Sequence, residues 1–314
     1  MTTPAHHAVL LIAYGGPTAM HEVRPFLDNV LRGRPVPPER LEAVVHHYEL
    51  IGGRSPLNEI TMRQGHALEA ELRAEGSALP VYIGMRNWKP YLRDALTRMV
   101  AHGVRRAVAV IMAAQQSDAS WDRYQREVAE ACVQIGPAAP EVIYVDEWHA
   151  HPLFIAAMRD SLAAAVEQVP PERRAAAVLV CTAHSIPTAM AATAPYVGQI
   201  EDAALLVADD CGLDRWQIAY QSRSGNPRDP WLEPDILAVL RDLAADGVRD
   251  VVLLPIGFVC DHVEVLYDLD IEARHVADAI GVRLVRAATV NDHPLFIRML
   301  ADVVRKRLAA GSGG

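Results

Sequence analysis

The chain is poor in cysteine. Its 314 residues hold four, Cys132, Cys181, Cys211 and Cys260, widely spaced and never as Cys-x-x-Cys. That excludes a disulfide framework and a zinc-ribbon pattern. It suits an enzyme with reduced thiols in the cytoplasm. Positive charge is also short, with 30 Lys and Arg against 39 Asp and Glu and a formal net charge of −9. Phosphate binding needs clustered cations, so no nucleic-acid partner is expected. No apolar run reaches the roughly 18–20 residues of a membrane span. The apolar segment Ala8–Ala13 is too short for a signal peptide and has no cleavage site. Common nucleotide and hydrolase signatures are missing as well: no dinucleotide fingerprint, no P-loop and no G-x-S-x-G elbow.

What is present is the composition of a folded protein. Apolar residues make up 51% and charged residues 22%, too apolar for a disordered chain. The length fits two domains or one large α/β unit. Short apolar runs predict strands at Ala8–Ala13, Val81–Gly84, Ala107–Met112, Val142–Asp146, Ala177–Thr182, Gln217–Tyr220, Val251–Ile256 and Val282–Ala287. Longer amphipathic runs between them predict helices, among them Met20–Leu31, Thr61–Ala74, Asp122–Gln134, Pro152–Gln168, Glu264–Ala279 and a last one over about 294–309. Strands alternating with helices at this spacing read as βαβ units around parallel sheets.

The chain repeats itself weakly. "AYGGP" from Ala13 resembles "AHSIP" from Ala183, each after an apolar strand. "GVRRAVAVIM" from Gly103 resembles "GVRDVVLLPI" from Gly247, and "HPLFIAAM" from His151 resembles "HPLFIRML" from His293. Repeats in one order predict two similar α/β halves, residues 1–150 and 151–314. By that symmetry the last helix returns to the first half. Ligands in open α/β sheets bind beyond the carboxyl ends of the strands. Two such halves facing each other form one cleft, with Tyr14 and His184 on opposite walls.

Several segments can carry chemistry. His184, just after a strand, can act as base or metal ligand near neutral pH, or simply cap or pack. In "PIGFVCDHVEVLYDLDIEARH", Pro255 to His275, Asp261 can cap a helix on which Glu264, Asp268 and Glu272 follow at i, i+4, i+8. Such a row is usually a solvated acidic face. Here apolar neighbours predict partial burial, Arg274 is the nearby cation, and the row can lead a divalent ion inwards. Tyr14 offers a phenol beside a glycine pair. A cationic loop is expected from "RGRPVPPER" at Arg32 to "HHYELIGGRSPLN" ending at Asn58, and it can bind carboxylates or stay solvated. "YQSRSGNPRDPWLEPD", Tyr220 to Asp235, can line a pocket or brace two strands.

Together these segments resemble ferrochelatases, which insert ferrous iron into a porphyrin. The resemblance runs from about Leu10 to about Leu308 and rests on "AYGGP", "YELIGGRSPLN", "YIGMRNWKPY", "TAHSIP", "YQSRSGNPRDPWLEPD" and "LPIGFVCDHVEVLYDLDIE". It implies two similar Rossmann-like domains with parallel sheets, the chelatase fold, and a porphyrin cleft between them. It implies His184 and Glu264 as the pair that binds metal and removes pyrrole protons, with Asp268 and Glu272 continuing as a metal route or proton exit. It implies Tyr14 as a ligand to product iron, and Tyr48, Ser55 and Tyr124 as propionate contacts.

The resemblance is to water-soluble members that act on coproporphyrin III. The apolar lip of membrane-bound protoporphyrin IX enzymes is missing, and Tyr14 stands where those usually have Met. Two arginines that contact propionates in soluble relatives appear as Leu31 and His47; Arg32, Arg34 or Arg54 could substitute, and the sequence does not say which. No cysteine follows Cys260, so no [2Fe-2S] cluster is expected, and no cofactor beyond substrate Fe2+. A cytoplasmic monomer is expected, away from membranes, with room for a transient partner in haem synthesis. The alternatives are a protoporphyrin IX ferrochelatase, a chelatase for another metal or tetrapyrrole, and a non-catalytic tetrapyrrole-binding paralogue.

Overall fold

The short apolar runs form eight strands in the computed structural model, which describes residues 7–33, 36–209, 212–213, 215–225 and 228–310. In chain order the elements begin with β1 (His7–Ala13), α1 (Val23–Leu31), α2 (Pro38–Leu50), α3 (Leu57–Ala74) and β2 (Val81–Met85). They continue with α4 (Leu92–Ala101), β3 (Arg106–Ile111), α5 (Arg123–Ile135), β4 (Glu141–Tyr144) and α6 (Pro152–Val166). Next are β5 (Val178–His184), α7 (Thr188–Ala191), α8 (Tyr196–Ala208), β6 (Trp216–Gln221) and α9 (Ile236–Ala245). Last come β7 (Asp250–Leu254), α10 (Val263–Leu266), α11 (Arg274–Ala279), β8 (Arg283–Arg286) and α12 (Pro294–Ala310). Two π-helical turns, Asp118–Asp122 and Asp268–Ala273, run into α5 and α11.

The strands make two four-stranded parallel sheets, ordered β2-β1-β3-β4 and β6-β5-β7-β8. The fold is therefore α/β, as expected. The two orders are the same pattern, so β1 and β5 hold equivalent places. Val9, Leu10, Leu11 and Ile12 are fully buried, as are Leu179, Val180 and Cys181. Strands covered on both faces read as continuous apolar runs rather than alternating ones, which is why these segments stand out in the sequence.

The chain divides into two compact units. The first runs to Ala113, resumes over Asp118–Trp148 and takes in the chain from Asp292; the second holds Ala114–Ser117 and His149–Asn291. Within the first, α12 packs on α3 and β3, and Phe296 meets the Trp148 ring with 6.0 Å between centroids. Within the second, α6 packs on α8, β7 and β8, while α9, α10 and α11 cover the sheet through Val239, Leu240, Val265 and Ala277. The repeated "HPLF" is a helix start. His151 accepts a hydrogen bond from the Leu153 N–H at 3.2 Å, and His293 accepts one from Leu295 at 3.3 Å.

Two expectations are corrected. The stretch from Arg32 to Asn58 is not one loop, because Pro38 opens α2, which carries His47 and Tyr48. Proline is favoured at a helix start, where its missing N–H has no partner to lose. The expected helix Glu264–Ala279 is broken into α10, the π turn and α11. Among the described residues no helix is long and apolar enough to cross a membrane.

Candidate active site

The second unit holds the clearest chemical cluster. His184 is the last residue of β5, and its Nδ1–H donates to the neighbouring Ser185 carbonyl. That bond assigns the proton to Nδ1 and leaves Nε2 for other partners. Nε2 lies 3.5 Å from Glu264 Oε1. Glu264 sits in the first turn of α10, whose N-cap is His262: the Glu264 N–H donates to His262 Nδ1 at 3.2 Å. Because that nitrogen accepts, His262 carries its proton on Nε2. Its ring stands edge-on to Phe258, 4.5 Å between centroids.

The charges in this cluster are coupled. Burial opposes ionisation of both His184 and Glu264, but each is outweighed by the other. Glu264 is held down to about 2 and His184 is raised above its ordinary value. The coupling favours an imidazolium facing a carboxylate. Asp268 behaves oppositely. Burial first, then the Glu264 and Glu272 charges, push it up to about 7, although the Ser222 hydroxyl donates to it.

The acidic row is laid out differently from a single helix face. The Glu272 N–H reaches back five residues to the Tyr267 carbonyl at 2.9 Å, the hydrogen bond of a π turn. Such turns are rare and recur at functional sites. Glu264 and Asp268 are half-buried, whereas Glu272 is exposed. Among the described residues, no three or more His, Cys, Asp or Glu are grouped to hold a metal ion. The four residues expected to meet metal are thus a pair, His184 and Glu264, and a row leading from it.

Asp261 does not cap α10; His262 does. Asp261 instead accepts from Arg286 at 3.3 Å and Thr289 at 3.1 Å, and Arg286 grips Asp270 of the π turn through two bonds of 2.6 and 2.8 Å. Arg274, the cation expected near the row, donates to the Leu284 carbonyl at 3.0 Å. Cys260 next door is no thiolate: burial, then Asp261, pushes its thiol up to about 12.

In the first unit the glycine motif and "RSPLN" come together. Gly15 has a φ of +84°, and a Cβ on Gly16 would stand 2.9 Å from Ser55 Cβ, so neither position accepts a side chain without a shift. The Gly16 N–H donates to Asn58 Oδ1 at 2.8 Å. Ser55 is buried, and its Oγ accepts from the Leu57 N–H at 3.3 Å. Tyr14 is 38% exposed and meets Phe26 edge-on at 6.3 Å, while Phe26 also touches the buried Tyr48 at 6.2 Å.

A cluster the sequence did not announce links Tyr14 to Tyr124. The Arg86 guanidinium lies 5.9 Å from each of these two ring centroids. Its Nε donates to Glu127 at 2.9 Å. Glu127 also receives Arg32 at 2.9 Å and Arg123 at 3.4 Å, so one carboxylate faces three guanidiniums. Arg32 is therefore paired with Glu127, although its side chain is 40% exposed. His47 is no cation at neutral pH, because burial, then Arg40 and His46, push it down to about 4. Arg54 is exposed, and Arg34 lies outside the described residues. Arg86 lies in the quoted "YIGMRNWKPY", but nothing local in that string pointed to its partners.

Comparison with known proteins bears on the family and the fold. Coproporphyrin III ferrochelatase from Mycobacterium marinum is 45% identical over 307 residues, covering 97% of this chain and 88% of the relative. The protein of the same name from Mycolicibacterium smegmatis is 43% identical over 304 residues, covering 96% and 89%. A solved structure of SirB from Bacillus subtilis with Fe3+ superposes with a TM-score of 0.60 at 14% identity, covering 98% of this chain and 97% of that one, a likeness of fold. The family model described as ferrochelatase matches residues 6–308, and the chain belongs to the ferrochelatase family.

Proposed function

We propose that this protein inserts Fe2+ into coproporphyrin III, giving coprohaem III in haem biosynthesis, and that His184 and Glu264 do the chemistry. The observation that carries the reading is the 3.5 Å His184–Glu264 contact at the end of β5. Its support is the identity to curated coproporphyrin III ferrochelatases over nearly the whole chain.

The reaction releases two pyrrole protons as the metal enters, so a base must be at hand. Mutual attraction favours a protonated His184 facing an ionised Glu264. An arriving dication disfavours that proton, because a bound cation inverts the local electrostatics. Its loss leaves a neutral imidazole and a carboxylate, one able to take a pyrrole proton and the other to meet the ion. Asp268, with its carboxyl pushed up to about 7, exchanges protons near neutral pH, and the exposed Glu272 hands them to water. On this reading Tyr48, Ser55, Tyr124 and Arg32 serve the porphyrin carboxylates and Tyr14 the product iron. Ser55 accepts from Leu57, which leaves its O–H to donate to a carboxylate. The protein acts as a cytoplasmic monomer with no redox cofactor of its own.

The test is an anaerobic insertion assay with Fe2+, offering coproporphyrin III and protoporphyrin IX separately. Fast coprohaem formation with little protohaem is expected. Preference for protoporphyrin IX overturns the substrate assignment, and tight porphyrin binding without insertion of any divalent metal overturns the reaction.

A further inference from the structure

Gln221 touches both arms of the reactive pair without belonging to it. It is the last residue of β6, in register with His184 on β5. Its backbone carbonyl accepts the Ser185 N–H at 2.8 Å, directly behind His184. Its side-chain Nε2 donates to the backbone carbonyl of Glu264 at 2.5 Å. A carbonyl can only accept, so the amide orientation follows from this partner. One residue thus ties the end of the strand bearing His184 to the helix turn bearing Glu264.

The residue is 1% exposed, and its Oε1 is buried without a hydrogen-bond partner among the described residues. A buried unsatisfied acceptor costs about 1–3 kcal/mol. A methionine of the same length fills the same space without that cost. The amide is therefore explained by its donor, which aims at Glu264, and not by packing. The Tyr196 hydroxyl braces the other side, donating to the His184 carbonyl at 2.9 Å. The pair itself is soft at 3.5 Å, longer than a charge-assisted hydrogen bond of about 2.7–2.9 Å, so its separation is set by the backbones that carry it.

We propose that Gln221 is a positioning residue for metal insertion: its side chain fixes Glu264 relative to His184 and thereby sets the spacing of the two groups that handle the metal and the protons. The proposal rests on the reading that this pair is the insertion site. A misplacement of about 1 Å in a reacting group costs on the order of 100-fold in rate.

The experiment compares Gln221→Met, Gln221→Glu and His184→Ala in the full chain with Fe2+ and coproporphyrin III. In Gln221→Met, kcat is expected to fall about 10- to 100-fold while KM and the fluorescence-quenching Kd for the porphyrin stay within about twofold. In Gln221→Glu the new side chain donates only when protonated, so its deficit relative to wild type should be smaller near pH 6 than near pH 8. That pH-dependent rescue is a signature that filling space does not produce, and it decides the matter if the methionine variant fails to fold. A kcat within twofold of wild type in Gln221→Met, with His184→Ala inactive, overturns the positioning role alone. So does a Gln221→Glu deficit equal at both pH values. An active His184→Ala overturns the site reading on which the proposal stands.

Discussion

His184 Nε2 and Glu264 Oε1 face each other at 3.5 Å, one at the end of β5 and the other in the first turn of α10. Each favours the other's charged form: His184 is raised and Glu264 drops to about 2. Replacing either should stop the chemistry before it stops binding. His184→Ala and Glu264→Gln are each expected to lower kcat at least about 100-fold, the usual contribution of a placed acid or base. Porphyrin affinity, read by fluorescence quenching, should change little. Unchanged turnover in His184→Ala removes this pair from the reaction, and a Glu264→Gln variant altered only in stability makes the acidic row structural.

Asp268 gives a pH signature with a definite sign. Its carboxyl rises from an ordinary 3.8 to about 7, so between those values the folded protein keeps a proton that the unfolded chain has released. Stability therefore falls as pH rises through that window. The raised His184 acts in the same direction at the upper end, since its stabilising charge is lost as pH climbs through its folded value. Glu264 acts at the other end, losing its contribution only as pH falls towards about 2. Asp268→Asn cannot titrate. Its thermal midpoint should exceed wild type by roughly 3–6 °C near pH 8 and by much less near pH 4. An equal gap at both pH values means that Asp268 is an ordinary solvated carboxylate.

The sequence made some of this site plain and hid the rest for physical reasons. The strands were legible because parallel strands buried on both faces are unbroken apolar runs, such as Ala8–Ala13. His184 and Glu264 were legible through motif strings. The π turn was not: an i, i+4, i+8 row looks like a regular helix, and only the Tyr267 carbonyl taking the Glu272 N–H reveals the wider turn. Helix α2 was missed because its charges and histidines hide any apolar face, and Pro38 reads equally as a loop. Long-range ion pairs leave no local mark. Nothing in the neighbourhood of Arg86 says that Glu127 lies against it, or that Arg286 rather than Arg274 holds the π turn.

That hidden cluster makes a stability prediction. Arg86 and Glu127 have side chains only 8% and 12% exposed, and the Arg86 guanidinium lies 5.9 Å from the centroids of two tyrosine rings. Removing the carboxylate leaves a buried guanidinium without its counter-charge, which costs about 3–5 kcal/mol. Glu127→Gln should therefore lower the denaturant midpoint markedly. The double variant Arg86→Met with Glu127→Gln should recover part of the loss, because no buried charge then lacks a partner. Strictly additive single effects in this cycle would mean that the pair is not coupled.

Arg32 and Arg123 lead to the last prediction. Glu127 carries one negative charge and faces three guanidiniums, leaving an excess of positive charge beside Tyr124 in a chain that is acidic overall. Arg86 is the buried one, whereas the Arg32 and Arg123 side chains are 40% and 32% exposed and can turn towards a carboxylate ligand. His47, neutral at working pH, offers no such charge. A charge-assisted hydrogen bond is worth about 1.5–3 kcal/mol, or roughly 10- to 100-fold in affinity. Arg32→Ala and Arg123→Ala should therefore each raise the Kd for coproporphyrin III by about tenfold or more. With protoporphyrin IX, which has half as many carboxylates, the loss should be smaller. Equal losses for both porphyrins would point to a general disturbance of the fold around Glu127, which the denaturant midpoint would register. No loss for either would leave these arginines as structural partners of Glu127 and send the search for the propionate cation to Arg54.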